Sequence, residues 1–140
     1  MATTTHRPET DRHGLPNPYD TAVSAGTRFA MELVAWSAGP LAVYKATNSL
    51  VLAGLSLSVL VAAPALCNTP GDKHKDGPVA TPGPARLAIE VGLFAVAVGA
   101  AAMVWPTPVA AAVAVTAGTA VISGAPRARW LLRRTGAATR

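Results

Sequence analysis

From Ala46 to Gly71, and again from Val91 to Pro126, the chain carries no charged side chain. Each stretch is longer than the roughly 20 apolar residues that cross a bilayer core. Apolar runs with almost no charged face leave a soluble bundle nothing to present to water, so lipid is the expected solvent. Helix-breaking residues divide the runs. The first span is expected over about residues 28–45, with Pro40 near its far end, and the turn Ala46-Thr47-Asn48 leads to a second over about 49–66. Prolines at 106 and 108 deny amide donors and break the second uncharged stretch into spans of about 86–105 and 109–125. Pro126 is expected to close the last one.

The segments outside the spans are polar. Residues 1–25 carry Thr, Pro, Asn, Asp and His without periodicity and read as a disordered tail. Residues 67–85 hold Asn, Gly, four prolines and the run Asp72-Lys73-His74-Lys75-Asp76, a connector composition. Residues 126–140 form a basic tail. No apolar segment with a small-residue cleavage site precedes the first span, so no signal peptide is expected to be removed.

Two acidic residues lie inside the apolar regions, and each follows an arginine by four positions: Arg28 and Glu32, then Arg86 and Glu90. The copies are 58 residues apart, and the same offset pairs Phe29 with Leu87, Met31 with Ile89, Leu33 with Val91, Trp36 with Phe94 and Gly39 with Ala97. The expected fold is therefore an all-α membrane protein of four transmembrane helices, built as two tandem helical hairpins, 26–66 and 86–125. Counting lysine and arginine by loop puts every one but Lys45 on a single side when the N-terminus is cytoplasmic. Both hairpins then start on that side, which makes the repeat parallel rather than inverted. The expected location is the inner (plasma) membrane of a bacterium, multi-pass, with both termini cytoplasmic.

Arginine and glutamate four apart share a helix face, with the glutamate roughly 6 Å deeper. A charge at that depth is costly against lipid and calls for a protein partner. Base before acid is the poorer order for a pair within one helix, whereas pseudo-symmetry lets Arg28 meet Glu90 and Arg86 meet Glu32 between the first and third helices. Arg28, Glu32, Arg86 and Glu90 are thus expected to form an interhelical charge network that sets the register of the hairpins. The alternative is that Glu32 and Glu90 titrate and carry protons or cations. Tyr44, Trp105 and Trp130 fall where interfacial rings are enriched, and Arg127, Arg129, Arg133 and Arg134 form a juxtamembrane stretch that should attract anionic lipid headgroups; its arginines occupy more than one helical face, so setting the topology is its expected main role.

The single cysteine, Cys67, excludes an intramolecular disulfide, and histidines at 6, 13 and 74 give no metal-ligand spacing. A pI near 10.2 is compatible with nucleic acid, but the cations cap apolar runs instead of forming a solvated basic face. No nucleophile with a base and no phosphate-cradling glycine loop is present, so no enzymatic activity, metal or cofactor is expected. Ala95-x3-Gly99 and Ala114-x3-Gly118 have the spacing that lets helix backbones approach closely. The expected role is that of an accessory or scaffolding protein working through helix–helix association, with itself or another membrane protein. A small oligomeric transporter or channel using Glu32 and Glu90 is the alternative.

The motifs Arg28-Phe29-x2-Glu32-Leu33, Val61-Ala62-Ala63-Pro64 and Pro84-x-Arg86-Leu87-x-Ile89-Glu90 occur in that order. Over residues 26–125 the chain resembles the YrdB-like family of small bacterial membrane proteins. The resemblance implies four spans and a family without an assigned function. The Trp-Gly and Phe that the family carries before its Ala-Pro are replaced here by Ser58, Val59 and Val61.

Overall fold

The computed structural model describes residues 17–72 and 78–134. They form four helices, α1 (Ala22–Thr47), α2 (Leu50–Leu66), α3 (Gly83–Val104) and α4 (Thr107–Arg133), plus two-residue strands β1 (Cys67–Asn68) and β2 (Val79–Ala80) that pair in parallel. The chain is mostly helical. Among the described residues, α3 is long and apolar enough to cross a membrane, and α4 is a second such segment if its two bent arms count as one span. α2 is apolar but shorter, and α1 carries Glu32 and Lys45 within its apolar stretch.

The helix limits follow from local chemistry that the apolar runs do not reveal. α1 starts at Ala22, inside the region expected to be a tail, because Thr21 and Ser24 form a reciprocal capping box. Asn17 and Asp20, also expected to be unstructured, are buried against the bundle. α1 ends at Asn48, whose left-handed backbone (φ 53°) lets its N–H reach the Tyr44 carbonyl at 2.7 Å. α3 starts at Gly83, ahead of Arg86, with Pro84 in its first turn where a missing N–H costs nothing. The connector is also more ordered than its composition suggests. Thr81 N–H donates to the Asn68 carbonyl at 2.8 Å, and the Thr69 hydroxyl donates to the Thr81 carbonyl at 2.9 Å.

Pro126 does not close the last helix. α4 runs to Arg133, and its arms Thr107–Ser123 and Ala125–Arg133 meet at 56°. A proline two positions past Gly124 removes the hydrogen bond to the Ile122 carbonyl, and the helix absorbs the loss by bending.

The core lies where α1, α3 and α4 meet, around Met31, Ala35, Leu93, Phe94, Ala97, Val113 and Ala120. Alanines dominate this contact, which lets the backbones come close. α1 and α3 run parallel at equal depth. The Lys45 ammonium donates to the Met103 carbonyl at 2.8 Å across the same 58-residue offset, and Ala35/Leu93, Gly39/Ala97 and Ala42/Ala100 are buried at equivalent positions. α2 packs mainly on α1 and little on α3, so its outer face is bare: Leu50 is 76% exposed and Val51 72%.

One contact fixes α2 on α1. Pro64 lies inside α2, so the Leu60 carbonyl has no N–H four residues on to accept from; the Trp36 indole N–H donates to it at 3.0 Å. Trp36→Phe is expected to lower stability by about 1–3 kcal/mol, the cost of an unsatisfied carbonyl away from water. Adding Pro64→Ala restores the intrahelical donor, so the double variant should recover part of that loss in thermal unfolding. Equal stability of Trp36→Phe and the parent chain would contradict the assignment.

Candidate functional site: a buried ion cluster at one end of the bundle

Four segments distant in sequence converge where α1 and α3 begin and α4 ends. The connector brings Asp72 there through a turn at Gly71, whose φ of +83° suits glycine, and the Asp72 N–H donates to the Thr69 carbonyl at 3.0 Å. The bend in α4 turns Arg127 inward. Its guanidinium grips Asp72 with two bonds, Nε to Oδ1 at 2.8 Å and Nη2 to Oδ2 at 2.6 Å. The remaining nitrogen, Nη1, donates to Glu90 Oε2 at 2.8 Å. Asn17 Nδ2 donates to Asp72 Oδ1 at 3.2 Å. All three guanidinium nitrogens thus have an acceptor, the geometry in which a buried arginine recovers most of its desolvation cost.

Arg86 is 1% exposed, with Nη1 4.0 Å from Glu90 Oε2. Its Nε and Nη1 have no hydrogen-bond acceptor among the described residues. Glu32 lies near enough for its charge to act on Arg86. It also lines a shallow cleft of about 180 Å³ with Trp36, Val61, Pro64 and Ala65. Arg86 and Arg127 formally balance Asp72 and Glu90, Arg86 through its charge at 4.0 Å and Arg127 through direct bonds. Burial opposes ionisation of Asp72, yet hydrogen bonds and charge from Arg127, the Asn17 amide and the charge of Arg86 hold its carboxyl below the ordinary 3.8.

The network differs from the one expected. Arg28 does not meet Glu90; it donates to Asp20 Oδ2 at 2.5 Å, and Asp20 also accepts from the Ser24 hydroxyl. The reason is the earlier start of α1, which places an acid within reach of Arg28 at the helix end. Arg127, expected as an interfacial anchor, is buried as the cation of Glu90. The other anchors are divided. Tyr44 is exposed near Lys45, and Trp105 follows α3 at the end opposite the cluster. Arg129 and Arg133 are exposed, and Arg134 lies 4.7 Å from the centroid of the Trp130 ring. Asp72, Asn17 and Asp20 escape a reading of the sequence, because a lone polar residue in a proline-rich connector or before a cap has no periodicity to mark it.

No protein-family model, curated protein or solved structure matches this chain. Among the described residues no group of three or more His, Cys, Asp or Glu side chains is placed to hold a metal ion, and Cys67 is a free, half-buried thiol. The cluster joins the N-terminal segment, the connector, α3 and α4 at one end, which is the work of a structural clamp. Glu90 is held there by Arg127.

Proposed function

We propose that the chain is a four-span protein of the bacterial inner membrane, with both termini cytoplasmic, that acts without catalysis as an accessory or scaffolding partner through helix–helix association. The observation that carries this reading is the placement of its small-residue faces. Ala95, Gly99, Ala114 and Gly118 all lie on the outside of the bundle, and a Cβ built at Gly99 or Gly118 would meet nothing within 4 Å. The close-approach spacings are thus unused within the monomer and open to another helix. A lipid-facing role for the surface is supported by exposed Leu33, Leu41, Leu50, Leu55, Val115 and Ile122. The four-span arrangement is also what the YrdB-like resemblance implies.

Topology is tested by reporters fused after Lys45, Asp72, Pro106 and the C-terminus; an external signal at Asp72 or the C-terminus would sink the proposed orientation. Association is tested by mild-detergent purification with crosslinking. Gly99→Leu and Gly118→Leu are expected to abolish a stable complex while leaving monomer unfolding unchanged. The alternative, an oligomeric transporter or channel, draws on the cleft at Glu32. A lone homo-oligomer that moves protons or cations in liposomes, with loss of flux in Glu32→Gln, would favour it.

A further inference from the structure

The final arm of α4 builds a cleft that the ion cluster does not use. Tyr19, Pro126, Arg129, Trp130 and Arg133 line a hollow of about 230 Å³. The bend gives the arginines of this arm different surroundings. Arg127 points into the cluster, while Arg129 and Arg133, one turn apart, face the hollow. Neither has an ion-pair or hydrogen-bond partner among the described residues, in contrast to Arg28, Arg86 and Arg127. Among the described residues no acid lines the hollow. Asp20, the nearest in sequence, is already engaged by Arg28 and Ser24. Trp130 lines the hollow with the two arginines, and the Arg134 guanidinium lies near its ring.

The arm of α4 that precedes the bend carries exposed aliphatic side chains. Val115 and Ile122, seven residues apart on that arm, are 71% and 77% exposed. α4 thus carries exposed aliphatic side chains on one arm and, on the other, two guanidinium groups without a partner among the described residues, in a hollow shared with a tryptophan and a tyrosine. A ligand that matches both parts has an acyl chain joined to an anionic phosphate. Inorganic phosphate would use only the second. We infer that this cleft binds the phosphate headgroup of an anionic phospholipid, with an acyl chain lying along Val115 and Ile122. The forked guanidinium groups suit phosphate oxygens, and the two rings suit the headgroup level. The inference rests on the membrane reading and adds a defined lipid site to it.

The test uses the purified full chain in zwitterionic micelles doped with phosphatidylglycerol or phosphatidylcholine, with bound lipid counted by native mass spectrometry. Two cations near an anionic headgroup should give roughly a thirtyfold preference for phosphatidylglycerol. Arg129→Gln with Arg133→Gln should erase it. Lys73→Gln with Lys75→Gln, which removes the same charge from the connector, should preserve it. Arg129→Lys with Arg133→Lys keeps the charge without the fork and should retain part of the preference. Equal loss in the two Gln pairs would reduce the effect to diffuse surface charge and overturn the site. So would a parent chain without preference, or inorganic phosphate that displaces the lipid at millimolar concentration. Alkaline extraction separates this from the underlying reading: a chain that stays in the membrane pellet but lacks lipid preference overturns the site alone, and one that washes off overturns both.

Discussion

Arg127→Gln is expected to lower the stability of the folded chain by about 3–5 kcal/mol, because it leaves Asp72 and Glu90 facing each other in a buried site without their shared cation. Arg127→Lys keeps a charge and three donors but loses the planar fork that grips both oxygens of Asp72, and should fall between the two. The deficit should depend on pH. The folded-state pKa of Asp72 is depressed below its ordinary 3.8, so its contribution is fully present above that value and is lost as the pH falls through the folded pKa. Parent and Asp72→Asn unfolding curves should therefore converge in acid and separate toward neutrality. Denaturant unfolding in one detergent across that range measures both effects. A near-neutral Arg127→Gln would mean that water reaches the cluster and screens it.

Gly83→Ala is expected to cost about 2–4 kcal/mol, a large effect for a single methyl group. A Cβ at Gly83 would lie 1.9 Å from the Leu131 carbonyl oxygen and 2.7 Å from its carbon, and backbone cannot turn aside as a side chain can. The end of α4 would have to move off α3, breaking the 2.9 Å bond from the Gly83 N–H to the Arg134 carbonyl and drawing Arg127 with it. Gly83→Ala and Arg127→Gln should therefore be non-additive, the double variant losing less than the sum. Gly92→Ala is the control. Nothing lies within 4 Å of a Cβ there, and an alanine in mid-helix should be neutral or stabilising by about 0.5–1 kcal/mol. Equal melting temperatures for the two glycine variants would remove the proposed close contact.

What the sequence makes legible here is set by range. The apolar runs and the prolines at 106 and 108 locate helices because both act through neighbouring residues, and α2 begins at Leu50, one residue from its expected start. The 58-residue offset points to the α1–α3 contact because equivalent residues are buried together. The starts of α1 and α3 lie outside the apolar runs, where Thr21 with Ser24, and Pro82-Gly83-Pro84, decide them. Pro126 illustrates the opposite limit. A proline after a glycine fits a helix end and a helix bend equally well, and the choice is made by Gly83 and Glu90, far away in sequence, which hold the bent arm down. Arg28 likewise takes its partner from the chain before it, which no symmetry argument within the spans could supply.

The bend in α4 also imposes an order of events on biosynthesis. Asn17, Asp72 and Glu90 all emerge from the ribosome before Arg127, so the acids of the cluster wait for a cation encoded near the end of the described chain. Until it arrives, the connector has no anchor on α4, and Glu90 has only the more distant charge of Arg86 beside it. Closure by Arg127 is therefore the last step in assembling the cluster.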